Sequence, residues 1–313
     1  MLLNNTTVIG AGIMGRGIAL VYALNDYQVR LYDVDSTALE KARELIGADL
    51  DLLVEEGLCP ASKRQQTLEN IFITDSLKEA VGSAELITEA VPERLELKWQ
   101  VLARIEALSP RSAIVASNTS TLPLTDMARH LARPERMIIT HFFNPAHLVP
   151  LVEVIKAEDT PAEVLSDVLT ILRRIGKVPV VLKKEVPGFI ANRLQAAVMR
   201  EALHLVHSGV ADMHDLDTAM TCGPGFRWSI IGPLETADFG GLDTWQSVMN
   251  NLAPVLDNAR TAPAVINELN QQGHLGVKTG QGFYTYPSED VVADKIRSRD
   301  LAFIRLLKLR SMK

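Results

Sequence analysis

A glycine-rich turn near the start of the chain most constrains the fold. Residues 7–15 read TVIGAGIMG, so a β-prone run leads into a Gly-x-Gly-x-x-Gly pattern, and residues 16–25 continue as a helical segment. A second apolar run, residues 29–32, is closed by Asp33. A strand, a tight turn, a helix and a second strand ending in an acid are the sequence of a βαβ unit that binds a dinucleotide.

Each glycine of this turn has its own physical task. Gly10 permits the tight turn, Gly12 keeps side-chain atoms away from a pyrophosphate, and Gly15 lets the helix approach the strand. The start of the helix offers unpaired N–H groups to the phosphates. The backbone expected to lie against them is that of Gly12, Ile13 and Met14. Asp33 accepts hydrogen bonds from a ribose and repels a 2′-phosphate, which predicts NAD rather than NADP.

Length and composition limit the remaining possibilities. At 313 residues two domains are expected, because single cores usually split beyond ~250 residues. The chain is 47% hydrophobic, without a run of 18 apolar residues or a basic, apolar start, so we expect a cytoplasmic protein without a membrane partner. A net charge of −6 argues against nucleic-acid binding. Its two cysteines provide no disulfide framework, and we expect no metal site.

Strand-like and helical patterns alternate over the first part of the chain. This alternation predicts an α/β, Rossmann-type NAD-binding domain over residues 1–186, with a largely parallel sheet. The predicted strands are Thr6–Gly10, Gln28–Asp33, Ile71–Thr74, Leu86–Val91, Ala113–Ser117, Met137–Phe143, Leu151–Ile155 and Val178–Leu182. The loop between Met137–Phe143 and Leu151–Ile155 is too short for a helix, so we expect a departure from parallel order there.

The pattern changes at residues 186–189, VPGF, after which little strand signal remains. We therefore predict an all-α helical domain over residues 187–313, including a last helix at 291–313. The first helix of this domain is apolar on more than one side, which favours burial against a second subunit in a homodimer.

Four polar residues lie at the ends of elements where a Rossmann-type crevice opens. Ser117 ends one strand, His141 lies near the end of another, Glu153 is flanked by valines in an apolar run, and Asn192 opens the second domain. A buried acid needs a partner, and a histidine on the neighbouring strand can supply one. The pair predicts a general base oriented by a carboxylate.

Six motifs in this order resemble the 3-hydroxyacyl-CoA dehydrogenase family. They are GAGIMG at 10–15, ASNTS at 116–120, HFFNP at 141–145, LVEVI at 151–155, PGFIANR at 187–193 and KTGQGFY at 278–284. The resemblance implies NAD-dependent oxidation of a 3-hydroxyl, with a place in fatty-acid metabolism. It also implies His141 as the general base, Glu153 as its partner, and Ser117 and Asn192 as ligands of the substrate oxygen. Asn144 would support the cofactor site, and Glu93 and Lys98 would lie near the nicotinamide ribose.

The motifs divide on the substrate, for which a 3-hydroxyacyl-CoA is the first expectation and a free 3-hydroxy acid the alternative. Phe142-Phe143 is similar to the acyl-CoA enzymes, which favours a short-chain 3-hydroxyacyl-CoA, and Lys63 with Arg64 would then lie where CoA phosphates bind. The segment 222–235, CGPGFRWSIIGPLE, is more similar to the L-gulonate 3-dehydrogenase and lambda-crystallin branch. There Arg227 would pair with the carboxylate of a free 3-hydroxy acid.

Three further classes fit less well. The 6-phosphogluconate-like dehydrogenases use a lysine four residues before an asparagine, and Gly188 stands at that position here. A structural, crystallin-like protein without activity need not keep the four polar residues. A binding protein that senses NAD without turnover is distinguished by an assay for NADH formation.

Overall fold

The computed structural model describes residues 4–311. Eight strands form one sheet, in the order β3-β2-β1-β4-β5-β6-β7-β8. The strands are β1 (Asn5–Ile9), β2 (Gln28–Tyr32), β3 (Ile71–Thr74), β4 (Leu86–Glu89), β5 (Ile114–Ser117), β6 (Met137–Phe142), β7 (Leu151–Lys156) and β8 (Val178–Val181). This order reverses direction between β1 and β4, which is the switch point where α/β sheets bind nucleotides.

Helices connect the strands and then continue alone. The helices between the strands are α1 (Ile13–Leu24), α2 (Ser36–Glu55), α3 (Arg64–Glu69), α4 (Leu77–Val81), α5 (Leu95–Leu108), α6 (Leu124–Ala128) and α7 (Ala162–Arg174). After β8 follow α8 (Ala191–His207), α9 (Met213–Cys222), α10 (Pro224–Trp228), α11 (Pro233–Gly240), α12 (Leu242–Leu252), α13 (Ala264–Gln271) and α14 (Glu289–Ser311). The predicted α/β Rossmann-type domain followed by a helical region is confirmed.

The sheet leaves parallel order where the loop length predicts it. β6 and β7 pair antiparallel, whereas β1–β2, β1–β4, β2–β3, β4–β5, β5–β6 and β7–β8 pair parallel. Residues 143–150 turn the chain back without a helix. In the antiparallel register His141 lies directly opposite Glu153. The short connection therefore sets the geometry of the predicted base and its partner.

The central strands are buried on both faces, as in sheets covered by helices. Every residue of β4 and β6 is buried, including Glu89 and His141. On α7 the buried residues are Val164, Val168, Ile171 and Leu172, which lie along one face at helical spacing. The polar residues within these strands are therefore surrounded by an apolar core.

The chain divides into two compact units, one ending at Asn192 and resuming at Arg297, the other spanning Arg193–Ile296. The predicted division at residue 187 assigns the last helix to the second domain, whereas the C-terminal half of α14 belongs to the first unit. The reason is packing, because Ile304 is fully buried in the core cluster that includes residues of α1 and α2. Ion pairs add to it at Arg297–Glu55, 2.8 Å, and Lys308–Glu56, 2.9 Å.

The second unit consists of α9–α13 with most of α8 and the first part of α14. Its short helices α10 and α11 are not predicted from the sequence, because five to eight residues give too few repeats for a helical period. Among residues 4–311 no helix is long and apolar enough to cross a lipid bilayer.

Candidate active site

The glycine-rich turn has the geometry of a pyrophosphate cradle. Gly10 has φ +101°, and a Cβ there would lie 2.8 Å from the carbonyl oxygen of Ala90. A Cβ on Gly15 would lie 1.7 Å from the carbonyl oxygen of Gly10, so only glycine lets α1 approach β1. A Cβ on Gly12 has no other atom within 4 Å, which leaves open space beside the backbone. Close packing at two glycines and room at the third fit a bound dinucleotide.

Asp33 follows the end of β2 and faces this turn. Its Oδ2 accepts a hydrogen bond from the N–H of Ala11 at 2.8 Å, and its Oδ1 accepts one from the N–H of Asp35 at 3.1 Å. Ile13, the first residue of α1, is two-thirds exposed. The acid, the turn and an accessible helix N-terminus therefore lie together at the switch point, which fits the adenosine half of NAD.

His141 and Glu153 form a buried pair across β6 and β7. The Nδ1 atom of His141 lies 2.9 Å from Oε2 of Glu153, and both side chains are almost fully buried. Since a carboxylate only accepts hydrogen bonds, Nδ1 carries the proton and Nε2 is the basic nitrogen of the ring. This is the arrangement of a general base held in one tautomer.

The second oxygen of Glu153 ties the start of α8 to this pair. Oε1 accepts the backbone N–H groups of Ile190 at 2.8 Å and Ala191 at 2.9 Å. Burial works to raise the pKa of Glu153, but the hydrogen bonds from His141, Ala191 and Ile190 outweigh it and keep the pKa below its usual range. The carboxylate therefore stays ionised beside the imidazole at neutral pH.

Two aromatic rings pack against the imidazole. The ring centroid of Phe143 lies 4.4 Å and that of Phe189 5.5 Å from the centroid of His141. Phe189 is fully buried and has φ +55°, a conformation that a bulky side chain adopts only when its surroundings hold it there. The imidazole is thus fixed by apolar contacts as well as by its hydrogen bond.

Ser117 lies at the end of β5 and has no exposed surface. Its hydroxyl donates to Oε2 of Glu89 at 2.5 Å, and its oxygen accepts the N–H of Thr119 at 3.2 Å. Glu89, at the end of β4, is a residue that the sequence analysis missed. The sequence signal for Glu89 is an acid at the end of an apolar run that follows the βαβ unit with the glycine-rich turn.

Lys98 and Glu93, which are both predicted to lie near the nicotinamide ribose, are brought together in the structure. The Nζ atom of Lys98 lies 3.4 Å from Glu93 and 2.8 Å from Glu89, and the lysine is almost completely buried. Glu93 accepts from the side chain of Thr119 at 2.6 Å and from the N–H groups of Ser120 and Thr121. Although burial acts to raise it, the pKa of Glu93 lies below its usual range, because Thr119, Lys98 and the backbone donors stabilise the carboxylate.

One asparagine contacts the loop after β5, a second contacts β6, and a third is exposed. The Nδ2 atom of Asn192 donates to the carbonyl oxygen of Ser120 at 3.3 Å. The Oδ1 atom of Asn118, another residue missed in the sequence analysis, accepts the N–H of Phe142 at 2.9 Å. Asn144 is exposed and precedes Pro145 through a cis peptide bond.

The two basic residues predicted for the substrate lie in different units. Lys63 pairs with Asp26 at 3.1 Å, and its neighbour Arg64 pairs with Asp51 at 2.5 Å. Arg227 belongs to the second unit, is exposed, and makes no side-chain hydrogen bond or ion pair within the described part of the chain. The structure therefore gives Lys63 a carboxylate partner and leaves the guanidinium of Arg227 to solvent.

Family models match almost the whole chain. The model of the 3-hydroxyacyl-CoA dehydrogenase NAD-binding domain matches residues 5–186, and that of the C-terminal domain matches residues 188–286. The chain belongs to the 3-hydroxyacyl-CoA dehydrogenase family. Members of this family are NAD-dependent oxidoreductases of CH–OH groups, and NAD is the cofactor of this chain.

Relatives within the 3-hydroxyacyl-CoA dehydrogenase family carry different names. The 5-formyl-3-hydroxy-2-methylpyridine 4-carboxylate 5-dehydrogenase of Mesorhizobium japonicum is 37% identical, over 97% of this chain and 98% of the relative. The L-carnitine dehydrogenase of Streptomyces coelicolor is 36% identical, over 96% and 92%.

Two solved structures of similar proteins also differ in the substrate that they name. A 5-formyl-3-hydroxy-2-methylpyridine 4-carboxylic acid 5-dehydrogenase, described as an NAD+-dependent dismutase, superposes with a TM-score of 0.91 at 36% identity over 98% of both chains. The (S)-3-hydroxybutyryl-CoA dehydrogenase of Ralstonia eutropha gives a TM-score of 0.74 at 31% identity, over 91% of this chain and 100% of that chain. Membership of the family thus does not determine the substrate, which depends on the residues of the site.

Proposed function

We propose that this protein oxidises the hydroxyl of a small, free carboxylic acid, with NAD as hydride acceptor and His141 as general base. The observation that carries the proposal is the buried His141–Glu153 pair at 2.9 Å, which defines a basic Nε2. General-base help of this kind contributes about 10²–10⁴ in rate.

The residues of the site divide the work of the reaction. His141 Nε2 takes the proton of the hydroxyl group as the carbon that bears this group loses a hydride and becomes a carbonyl carbon. Glu153 fixes the tautomer of the imidazole and offsets the positive charge that forms on it. Asn192, whose amide is a hydrogen-bond donor, orients the substrate oxygen, and Ser117 completes this part of the site. The NAD cofactor, when bound, supplies the nicotinamide ring that accepts the hydride.

The charges around Lys63 support a free acid over a CoA thioester. A CoA phosphate at Lys63 and Arg64 would meet the carboxylates of Asp26 and Asp51, which already neutralise both cations. Exposed ion pairs contribute little to stability, but their carboxylates repel an approaching phosphate. This helical arm therefore offers a phosphate no net positive charge.

Similarity to solved structures also supports this choice. The pyridine carboxylic acid dehydrogenase superposes on this chain with a TM-score of 0.91, against 0.74 for the (S)-3-hydroxybutyryl-CoA dehydrogenase. The fold of this chain is therefore more similar to that of an enzyme whose name contains a free carboxylic acid.

Arg227 is the proposed ligand of the substrate carboxylate. Its guanidinium forms no ion pair within the described residues, and a planar fork of donors suits a carboxylate. A short-chain 3-hydroxyacyl-CoA is the second candidate, because the family model and the (S)-3-hydroxybutyryl-CoA dehydrogenase structure carry that chemistry in their names.

Initial rates of NADH formation test the substrate class. L-Carnitine, L-gulonate and free 3-hydroxybutyrate should include a substrate whose kcat/KM exceeds that of 3-hydroxybutyryl-CoA. A double variant, Lys63→Ser with Arg64→Ser, should leave the rate on the free acid unchanged. Turnover of the CoA thioester alone, with loss of that turnover in the double variant, would establish the second candidate instead.

We also propose a homodimer formed through the second unit. Helices α9, α12 and α13 bury none of their residues within the described chain. Large apolar side chains are exposed in this unit, among them Leu194, Phe226, Leu234, Phe239 and Leu242. Apolar surface on this scale is typical of an interface. Light scattering should give twice the chain mass of 34.4 kDa, and a monomer at micromolar concentration would contradict the proposal.

A further inference from the structure

Glu89 is a buried carboxylate with four hydrogen-bond contacts beneath the site. It ends β4, between β1 and β5, and has no exposed surface. Its Oε1 accepts from the Nζ of Lys98 at 2.8 Å and from the N–H of Val91 at 2.7 Å. Its Oε2 accepts from Lys98 at 3.0 Å and from the hydroxyl of Ser117 at 2.5 Å. Every acceptor direction of this carboxylate is therefore used by a specific donor.

The contact with Glu89 fixes the direction of the Ser117 hydroxyl. Because a carboxylate only accepts, the hydroxyl proton points toward Glu89, and the lone pairs of the oxygen point elsewhere. One lone pair accepts the N–H of Thr119 at 3.2 Å. Glu89 thus sets the orientation of the Ser117 hydroxyl. This orientation in turn allows the hydrogen bond from the N–H of Thr119, in the loop at residues 118–121, to the Ser117 oxygen.

Lys98 extends the same network to the far side of that loop. Its ammonium lies between Glu89 and Glu93, and Glu93 accepts from the side chain of Thr119 and from the N–H groups of Ser120 and Thr121. The carbonyl oxygen of Ser120 in turn accepts the amide of Asn192. A continuous set of hydrogen bonds and ion pairs therefore runs from Glu89 to the asparagine proposed to orient the substrate.

Stability alone does not explain a charge pair in this position. Removing two ions from water is unfavourable, and a protein with well-packed apolar residues of similar volume in their place is often as stable. What an apolar pair cannot do is orient the Ser117 hydroxyl, as Glu89 does, and pair with Glu93, as Lys98 does. This contrast assigns the pair a role in positioning.

We propose that Glu89 is a positioning residue, which sets the Ser117 hydroxyl directly and, through Lys98 and Glu93, the loop at residues 118–121. Glu89 acts on the reaction through Ser117, and this role rests on the proposed dehydrogenase function, because its effect is measured in turnover.

Glu89→Asp is the first test, because it keeps the charge that balances Lys98 but withdraws the carboxylate from Ser117. We expect kcat to fall about 10-fold or more, as for catalytic groups displaced by an ångström, with NADH affinity within about threefold of wild type. The midpoint of the pH–rate profile should stay unchanged, because His141 and Glu153 make no contact with Glu89 in the described structure.

Glu106→Gln is the matched control. Glu106 lies on α5, the helix that carries Lys98, pairs with Arg133, and accepts the N–H groups of Ala132 and Arg133. It has no place in the network of Glu89. The control should lower the thermal midpoint without lowering kcat, so an equal fall of kcat in both variants would overturn the proposal.

A double-mutant cycle with Ser117→Ala separates positioning from general support of the fold. If Glu89 acts through Ser117, Glu89→Asp should change kcat less than about threefold in the Ser117→Ala background, because the two effects are not additive. Full additivity, or wild-type kcat in Glu89→Asp, would overturn the proposal. All rates are measured with the substrate that the wild type oxidises, whether a free acid or a CoA thioester. If the wild type oxidises only a thioester, the proposed substrate is contradicted, but the double-mutant cycle can still be measured.

Discussion

The imidazole of His141 and the carboxylate of Glu153 face each other across the one antiparallel strand pair among β1–β8, with Nδ1 2.9 Å from Oε2. The short loop after β6 creates this register, since a helical crossover would have made the strands parallel. The other carboxylate oxygen holds the start of α8 through two backbone N–H groups. A single acid therefore orients the base and anchors the helix that begins beside Asn192.

Glu153→Gln should abolish most of the turnover. An amide can keep its oxygen on the N–H groups of Ile190 and Ala191, but its NH2 then faces Nδ1 of His141 and forces the other tautomer. The proton then sits on Nε2, so the base is lost. We expect kcat to fall about 10²-fold or more, with an unchanged Kd for NADH, measured by fluorescence titration. A variant within threefold of wild-type kcat would show that the pair is not the catalytic one.

Asp33→Ser should relax the choice between NAD and NADP. Serine keeps an acceptor for the N–H of Ala11 but removes the charge that repels a 2′-phosphate. The ratio of kcat/KM with NAD to that with NADP should fall about 10-fold or more, since a full charge near a phosphate is removed. Steady-state rates with both cofactors measure the ratio. An unchanged ratio would mean that Asp33 does not contact the ribose.

Arg227→Ala should weaken binding of a free carboxylate substrate. Loss of a charge-assisted hydrogen bond raises KM about 10- to 100-fold, whereas an acyl-CoA thioester lacks the carboxylate and should be unaffected. Arg260→Ala, which removes another exposed arginine of the second unit, is the control. Equal effects of both substitutions would point to a general change of charge, and no effect of Arg227→Ala would remove it from the substrate site.

His147 should make the protein sensitive to acid. Burial is the main reason that the pKa of His147 is lowered to about 4. The carboxylate of Asp300 acts to raise this pKa, whereas the positive charges of Arg16, Lys177 and Arg299 lower it further. The unfolded chain binds this proton from about pH 6.5 and the folded chain only near pH 4, so stability is lost as pH falls through that window.

The comparison with His147→Gln isolates this contribution. The free energy of unfolding of wild type relative to the variant should decrease by at most about 1.4 kcal/mol per pH unit between pH 6.5 and 4. Denaturant titrations at several pH values measure this difference. A difference that stays constant with pH would mean that His147 is protonated equally in both states.

Most of the fold could be predicted because its signals are local. Glycines, strand-like runs and the short loop before Leu151 identified the Rossmann-type sheet and its antiparallel pair. The sequence pattern places the start of α1 at residue 16, three residues after its observed start at Ile13, because Ile13 belongs to a glycine-rich turn as much as to a helix. The return of α14 to the first unit could not be predicted, since an amphipathic helix does not reveal which core its apolar face joins.

The residues of the site could be predicted only where a local sequence signal marks them. The sequence predicts a pair of His141 and Glu153 because a buried acid requires a partner, and the structure places the two residues opposite each other. Glu89 was missed, because its partners Lys98 and Ser117 come from α5 and β5 and meet it only in the folded sheet. The roles of these residues in catalysis stay predictions.

The most direct measurement is the rate of NADH formation from a free hydroxy acid by wild type and by His141→Gln, combined with NADH binding to both. We predict turnover by the wild type, a loss of about 10²–10⁴ in kcat for the variant, and equal NADH affinity, because the base acts on the hydroxyl proton and not on the dinucleotide. A variant that turns over at the wild-type rate, or that loses NADH binding together with activity, would contradict the assignment of His141 as the base.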